Sequence, residues 1–284
     1  MNITKAIYGE YDVLNIVNIL VKNNILRISP TNELFKKDPQ PGIKKYLELT
    51  INNIQYSIPE NEYFEHPKNN NIKKLGIFYT NNNIPSVVEY CLKDLIKFEN
   101  KADIVSCVWQ KIEGNPFNEL IAYTKHSHHL NIIIQILQLL YFAQNNKDYD
   151  YVSFLEHDVL YPDDYFDFSG IDNHYQGLVN ENYIGLSKKG FQKKNQHDLP
   201  LHQTIMRFDN AIIHFEKLIL KAVKERSVIL EPTLLQKRQC KNPSLHINHG
   251  AHFTSHFNIY STTNVYQEEY LWGDGIQLYN KITL

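Results

Sequence analysis

Several common sources of stability and chemistry are absent from this sequence of 284 residues. It holds only three cysteines (Cys91, Cys107 and Cys240), and no two of them have the C-x-x-C spacing of a thiolate zinc site. An odd, widely spaced set does not build a disulfide framework, so we expect three reduced, buried thiols. The sequence also lacks a Gly-x-Ser-x-Gly segment, a P-loop lysine motif and a His-Glu-x-x-His segment, which leaves serine hydrolases, P-loop NTPases and zincins without support.

Neither sign of charge is in excess. The chain has 29 Lys and Arg against 31 Asp and Glu, a formal net charge of −2. It therefore lacks the global positive field on which non-specific nucleic-acid binding depends. The densest basic segment is a loop with Lys188-Lys189 and Lys193-Lys194, and such a segment is usually a solvated surface. A nucleic-acid partner is left open but not favoured.

Long apolar runs are missing as well. Glu10 and Asp12 interrupt the N-terminal region where a signal peptide needs a continuous apolar core, and no later run is long enough to span a bilayer. We therefore expect no transmembrane segment and a cytoplasmic location. A hydrophobic fraction of 43% with 12% aromatic residues is nevertheless enough for one large core or two unequal domains.

The composition changes along the chain and predicts two domains. Residues 1–66 are predicted to be a small β-rich accessory domain, with strands at 5–8, 25–28 and 46–58, the last interrupted by two asparagines. Residues 67–71 form a polar linker. Residues 72–284 form the second, larger domain.

In the larger domain, segments with the apolar pattern of a strand alternate with segments that have the apolar pattern of a helix. Buried strands are predicted at residues 73–79 (KKLGIFY), 103–109 (DIVSCVW) and 151–155 (YVSFL), and helices between them at 85–98 and 130–143. Strand, helix, strand, helix, strand is typical of parallel strands joined by right-handed crossovers. The fold class is therefore α/β, with a Rossmann-like mixed sheet sandwiched by helices.

Polar residues follow the first and third of these strands, at the edge where such sheets bind ligands. Thr80 and Asn81 open a polar loop ahead of a helix, suited to a base, ribose or phosphate, although a plain capping turn is the commoner case. Glu156-His157-Asp158 offers two carboxylates to a hard divalent cation, whose other ligands would be substrate phosphates and water.

A second cluster lies near the C-terminus, where residues 246–256 contain four histidines. It is either a scaffold or the source of a nitrogen ligand for a metal such as manganese. His246, His249 and His252 cannot all face one way in a strand, so at most one or two are ligands. Gly250 allows close backbone approach and favours His249 over His246.

These residues together resemble a known family. The strand, Thr/Asn loop, helix, second strand and buried helix, followed by YVSFLEHDVLYPDDYFDF, look like the nucleotide-sugar-binding half of a GT-A fold glycosyltransferase. Glu156-His-Asp158 stands in the place of the family's Asp-x-Asp motif, and NHGAHFTSHF is similar to its distal His-Gly segment. The resemblance covers about residues 72–260.

The resemblance implies a transferase that moves a sugar from a nucleoside diphosphate such as UDP to a glycan or other acceptor hydroxyl. Mn²⁺ or Mg²⁺, bound by Glu156, Asp158 and His249, would stabilise the diphosphate leaving group. Asp158 would act in catalysis through the metal, and Thr80 and Asn81 would contact the donor together with the two carboxylates.

An inverting mechanism would also need a base, whereas a retaining one would not. The nearest candidates on the acceptor side are Asp209 and His202. Asp209 falls in a predicted amphipathic helix at residues 206–223, where an exposed helix face is the plainer account.

Three other functions stay open. The chain could be a non-catalytic carbohydrate-binding or assembly protein on the same scaffold. It could be a metal-dependent phosphohydrolase, although it lacks the extra acidic clusters of a two-metal site. It could also be a transferase acting on modified bases of phage DNA.

Overall fold

A computed structural model describes most of the chain, namely residues 1–22, 24–68, 72–124, 129–193, 200–225, 228–248 and 265–283. The chain divides into two compact units. Unit 1 comprises Met1–Ile72 together with Ser169–Gln176, and unit 2 comprises Lys73–Phe168 together with Gly177–Leu284.

Unit 1 is built mainly from antiparallel strands around one apolar core. Its described elements are β1 (Ile3–Tyr8), β2 (Tyr11–Asp12), α1 (Leu14–Leu20), β3 (Leu26–Ile28), α2 (Asn32–Phe35), β4 (Tyr46–Ile51), β5 (Ile54–Pro59) and β6 (Phe64–His66). One sheet has the order β2-β1-β4-β5, and β3 pairs with β6. The two short helices were not expected from the sequence.

The third predicted strand of unit 1 is a hairpin. Residues 46–58 form β4 and β5, joined at Asn52 and Asn53, whose φ angles are 50° and 67°. Asparagine tolerates this left-handed region better than most residues, and two such residues in succession make the tight turn that suits the twist of paired strands.

A second stretch of chain completes unit 1. In Ser169–Gln176, the buried carboxylate of Asp172 accepts a hydrogen bond from the backbone N–H of Ser29, and the N–H of Asn173 donates to the carbonyl of Arg27 at 3.0 Å. Unit 1 is therefore discontinuous in sequence, a feature that a single boundary at residues 67–71 does not include.

Unit 2 contains the remaining described strands and helices. They are β7 (Lys74–Tyr79), α3 (Pro85–Leu95), β8 (Asp103–Val108), β9 (Asn118–Ile121), α4 (His129–Asn146), β10 (Tyr151–Glu156), β11 (Val159–Leu160), β12 (Gly177–Asn180), β13 (Tyr183–Ser187), β14 (Gly190–Lys193), β15 (Thr204–Arg207), α5 (Phe208–Ala222), β16 (Leu235–Arg238), β17 (Ser244–Ile247), β18 (Val265–Tyr266), β19 (Glu268–Glu269), β20 (Gly273–Asp274) and α6 (Gly275–Thr283). Short 3₁₀ helices lie at Ile96–Phe98 and Leu201–Gln203.

The central sheet of unit 2 has seven strands in the order β16-β12-β15-β10-β7-β8-β9. Six of them run in one direction, and β15 runs antiparallel to both of its neighbours. Side chains of α4 and α5 pack on one face of the sheet, and those of α3 pack on the other. The predicted mixed α/β sheet between helices is confirmed.

Each strand contributes side chains to both faces of this sheet. In β7, Leu75 and Ile77 belong to the core beneath α4, whereas Phe78 belongs to the core beneath α3. This alternation follows from the two-residue period of a strand. It explains why strands covered on both faces are almost continuously apolar.

A smaller sheet in the order β11-β17-β13-β14-β18 follows the end of β10. Strand β17 pairs antiparallel with β11, which sets Val159 opposite His246. The three cysteines are free and buried, as expected. Among the described helices, none has the length and apolar character needed to cross a membrane.

Candidate functional site

Glu156 and Asp158 lie at the carboxyl edge of the seven-stranded sheet. Glu156 is the last residue of β10, and Asp158 follows in the turn that leads to β11. The parallel register places Glu156 next to Tyr79, the last residue of β7. The acidic pair therefore stands beside the loop that follows β7, as the topology of α/β sheets predicts for a ligand site.

Two side chains hold the Glu156 carboxylate. The hydroxyl of Tyr79 donates to Oε1 at 2.9 Å, and Nδ1 of His202 lies 3.2 Å from Oε2. His202 reaches this position because the 3₁₀ helix Leu201–Gln203 immediately precedes β15, which pairs antiparallel with β10. The structure thus brings together two residues that the sequence placed 46 positions apart.

The environment keeps Glu156 charged. Burial raises its pKa, but the interaction with His202, led by the Nδ1 hydrogen bond, outweighs burial and holds the pKa below its usual 4.5. Burial and the neighbouring Glu156 carboxylate raise the pKa of Tyr79 well above 10, so its phenol keeps the proton that it donates.

Asp158 is held by a histidine of its own. Its Oδ2 lies 3.1 Å from Nε2 of His246, and the two side chains are 7% and 2% exposed. The pairing of β17 with β11 brings His246 to this point, and the N–H of Ile247 donates to the backbone carbonyl of Asp158 at 2.7 Å. The rings of His202 and His246 lie 5.0 Å apart, so the two acid–imidazole pairs form one cluster.

Sequence reasoning missed Glu231, a third carboxyl group near this cluster. Its Oε1 accepts a hydrogen bond from the N–H of Leu201 at 3.1 Å. Burial raises the pKa of Glu231, and the charge of Glu156 raises it further. A single glutamate before a proline in a loop belongs to no sequence pattern that would have indicated its position near the cluster.

The predicted donor-binding residues Thr80 and Asn81 form local turns in the structure. Thr80 Oγ1 accepts from the N–H of Asn82 at 3.0 Å, and Asn81 Oδ1 accepts from the N–H of Asn83 at 3.1 Å. Both contacts are the side-chain-to-backbone turns that these residue types favour. Thr80 is buried, whereas Asn81 is partly exposed.

Asn82 fixes this loop to the one after β8. Its φ angle is 58°, its Oδ1 accepts from the N–H of Trp109 at 2.8 Å, and its Nδ2 donates to the carbonyl of Gln110 at 2.9 Å. The amide thus replaces backbone pairing beyond the ends of the two strands.

A buried side chain from α4 reinforces the same edge. Gln135 Nε2 donates to the carbonyls of Thr80 at 3.0 Å and Cys107 at 3.2 Å. The carboxyl ends of β7 and β8 are therefore held from the helix layer as well as by each other.

The structure does not bring Asp209 to this cluster, which corrects the expectation of a base there. Asp209 is exposed in the first turn of α5. The residue before that helix, Arg207, pairs with Tyr151 at the opposite end of β10 from Glu156. Five strand residues at about 3.3 Å each separate the two ends, a distance of roughly 16 Å. The antiparallel direction of β15 causes this separation.

His246 is the only member of the histidine run that falls within the described residues. His249 lies outside them, together with residues 250–256, so its assignment as a metal ligand stays a prediction. Of the pair compared in the sequence, His246 is the one seen beside Asp158.

The donor atoms of the cluster suit a hard divalent cation. Within the described ranges, no three or more His, Cys, Asp or Glu side chains form a group that could hold a metal by themselves. A cation that keeps water and substrate phosphates as ligands needs only one or two protein carboxylates, which Glu156 and Asp158 provide.

The fold and the site together define a mixed α/β protein with an acid–histidine cluster at the carboxyl edge of a mostly parallel sheet. No family model matches the chain, and no curated protein does.

Solved structures show partial similarity. The apo form of the glycosyltransferase GlyE of Streptococcus pneumoniae TIGR4 is 17% identical over 57% of this chain and 41% of that chain, with a TM-score of 0.32. TarS 1-349 of S. aureus is 10% identical over 62% and 60%, with a TM-score of 0.36. The mannosyltransferase PcManGT of Pyrobaculum calidifontis, in complex with GDP-Man and Mn²⁺, is 12% identical over 61% and 58%, with a TM-score of 0.34. The match spans less than half the length of GlyE, 41% and 45% in its two structures.

Proposed function

We propose that this chain is a glycosyltransferase that moves a sugar from a nucleoside-diphosphate sugar to an acceptor hydroxyl with the help of a divalent metal. The observation that carries the proposal is the position of Glu156 and Asp158. Both carboxylates lie at the carboxyl edge of the sheet, beside the polar loop after β7, and each is oriented by a histidine.

The two carboxylates are the proposed protein ligands of Mn²⁺ or Mg²⁺, with His249 as the proposed nitrogen ligand. A bound metal would supply Lewis-acid stabilisation of the charge that develops on the leaving diphosphate. His246 orients Asp158, Tyr79 and His202 orient Glu156, and His202 keeps Glu156 ionised. The loop that begins at Thr80 and Asn81 is the proposed contact with the nucleotide.

His202 is the proposed base if the reaction inverts the sugar configuration. Glu156 fixes its Nδ1, and its Nε2 is buried with no hydrogen-bond partner among the residues that the structure describes. With the proton on Nδ1, the neutral imidazole carries its lone pair on Nε2, which would take the proton of an acceptor hydroxyl that reaches this buried atom. Asp209 is not retained in this role because of its position at the other edge.

A thermal-shift screen of nucleotide sugars with and without Mn²⁺ tests the donor part of the proposal. A ligand that binds only the native state raises its stability by RT ln(1 + [L]/Kd), so the true donor should raise the melting temperature, and more so with the metal. Slow release of free sugar from that donor would then demonstrate turnover. Donor binding without any release would favour the non-catalytic carbohydrate-binding alternative.

The accessory role of residues 1–66 and the glycan nature of the acceptor also stay proposals. A matched pair of donor assays with a simple sugar and with DNA as acceptor separates the glycan from the modified-base alternative.

A further inference from the structure

Unit 2 contains a cavity of about 430 Å³ at the amino edge of the central sheet. This edge is opposite to the carboxyl edge that carries Glu156 and Asp158. The cavity lies between the first residues of β8 and β9 and the last turn of α4. Its volume is within the range of small-molecule sites, about 300–1,000 Å³. The walls combine aromatic rings with a few polar groups, among them Phe117, Phe142, Asp103, Asn118, Asn146 and Tyr149.

One carboxylate of this cavity is oriented by its neighbours. Oδ2 of Asp103 accepts hydrogen bonds from Lys147 Nζ at 2.6 Å and from the Tyr149 hydroxyl at 2.8 Å. Within the described part of the chain, Oδ1 of Asp103 accepts no hydrogen bond. A pre-oriented oxygen is thus left for a donor from a ligand.

The charges around the cavity argue against an anionic ligand. Glu99 and Asp103 line the cavity, and the negative end of the α4 dipole faces it without a basic residue in the last turn, so an anion is disfavoured. Lys147 already places an ammonium on the Asp103 carboxylate, so this carboxylate does not require a cationic ligand. The free Asp103 oxygen therefore suits a molecule that donates a hydrogen bond, and a neutral hydroxyl does so without needing a counter-charge.

The apolar walls specify the rest of that molecule. The rings of Phe117 and Phe142 offer surfaces for packing against C–H groups, and the Asn118 amide can hydrogen-bond a hydroxyl. Asn146 offers its Oδ1, since its Nδ2 donates to the carbonyl of Phe142 at 2.6 Å. A neutral ring with apolar faces and hydroxyls around its edge meets both requirements. We propose that this cavity is a saccharide-binding site, separate from the carboxyl-edge cluster. Saccharide binding at this cavity does not require that the chain transfers sugars.

The probes are methyl glycosides of glucose, galactose, mannose and N-acetylglucosamine, tested on the full chain by saturation-transfer NMR and titration. We expect at least one to bind. Phe117→Ala should weaken that glycoside about tenfold and Asn118→Ala about threefold, because they remove a packing surface and a hydrogen-bonding amide. Asp167→Asn is the matched control, since Asp167 is a half-exposed partner of a lysine outside the cavity, and should change nothing.

Three results would overturn the site. The first is that none of the four glycosides binds. The second is that wild type and both cavity variants bind equally well. The third is that Asp158→Asn loses glycoside binding. The last would place the sugar at the carboxyl edge. If Phe117→Ala does not fold, Asn118→Ala decides alone. Glycoside binding in Asp158→Asn, together with lost donor turnover, would support both the cavity and the proposed function separately.

Discussion

Each edge of the seven-stranded sheet has an aspartate paired with a basic side chain, but the two pairs differ in their exposure to solvent. At the carboxyl edge, Asp158 and His246 are 7% and 2% exposed. At the amino edge, Asp103 and Lys147 are each 45% exposed. Water and salt screen the second pair, whereas removal of one partner from the first leaves a charge or dipole without solvent. Burial, more than residue type, therefore makes the carboxyl edge the sensitive one.

The largest expected effect is on turnover. Asp158→Asn keeps the shape of the side chain and removes its charge, so donor turnover in Mn²⁺ should fall about 1,000-fold while the fold is retained. Release of free sugar measures turnover, and circular dichroism checks the fold. Equal turnover by wild type and variant would contradict the metal-site proposal, and loss of solubility would indicate a structural role instead.

The next effect is on stability. His246→Ala removes the buried partner of Asp158 and should lower the free energy of unfolding by about 3 kcal/mol. Urea denaturation at neutral pH measures the change. A cost below about 0.5 kcal/mol, the range of ordinary surface substitutions, would show that burial does not set the importance of this pair.

A metal titration separates His249 from its neighbours. An imidazole must be neutral to bind a metal, so manganese affinity should fall as pH drops through about 6.5. His249→Ala should weaken Mn²⁺ binding at least about tenfold, because losing a residue that only supports a ligand already costs about 10–100-fold. His256→Ala is the control and should have no effect. Identical affinity of wild type and His249→Ala would remove this residue from the site.

Acid titration tests the charged state of Glu156. Its pKa is lower in the folded protein than the usual 4.5, so its contribution is present above that pH and is lost as pH falls through the folded pKa. The stability difference between wild type and Glu156→Gln, measured by urea denaturation in EDTA, should shrink on acidification below about pH 4.5. A difference that grows on acidification would contradict the role given to His202.

The smallest effect is expected at the amino edge. Asp103→Asn should cost less than about 1 kcal/mol, and about 0.5 M salt should reduce the cost, because the pair with Lys147 is half exposed. The same salt should leave the cost of His246→Ala nearly unchanged. Equal salt sensitivity of the two variants would remove the contrast between the edges.

Local sequence patterns predicted several of the strands and helices of unit 2. Strands β7, β8 and β10 and helices α3 and α4 lie within a few residues of their predicted bounds, since apolar period and flanking turns are local properties. The short strands β9, β12, β15 and β16 were not predicted. Strands of four residues contain too few repeats to show a period, and their pairing is with distant segments.

The sequence by itself determined the mixed α/β class of unit 2 and the position of Glu156 and Asp158 at a strand end. Only the tertiary structure decided which histidine meets which carboxylate. His202 reaches Glu156 through the antiparallel β15, and His246 reaches Asp158 through the pairing of β17 with β11. The same strand direction carries Asp209 to the far edge. Register between distant segments comes from the whole core, so no local run of residues contains it.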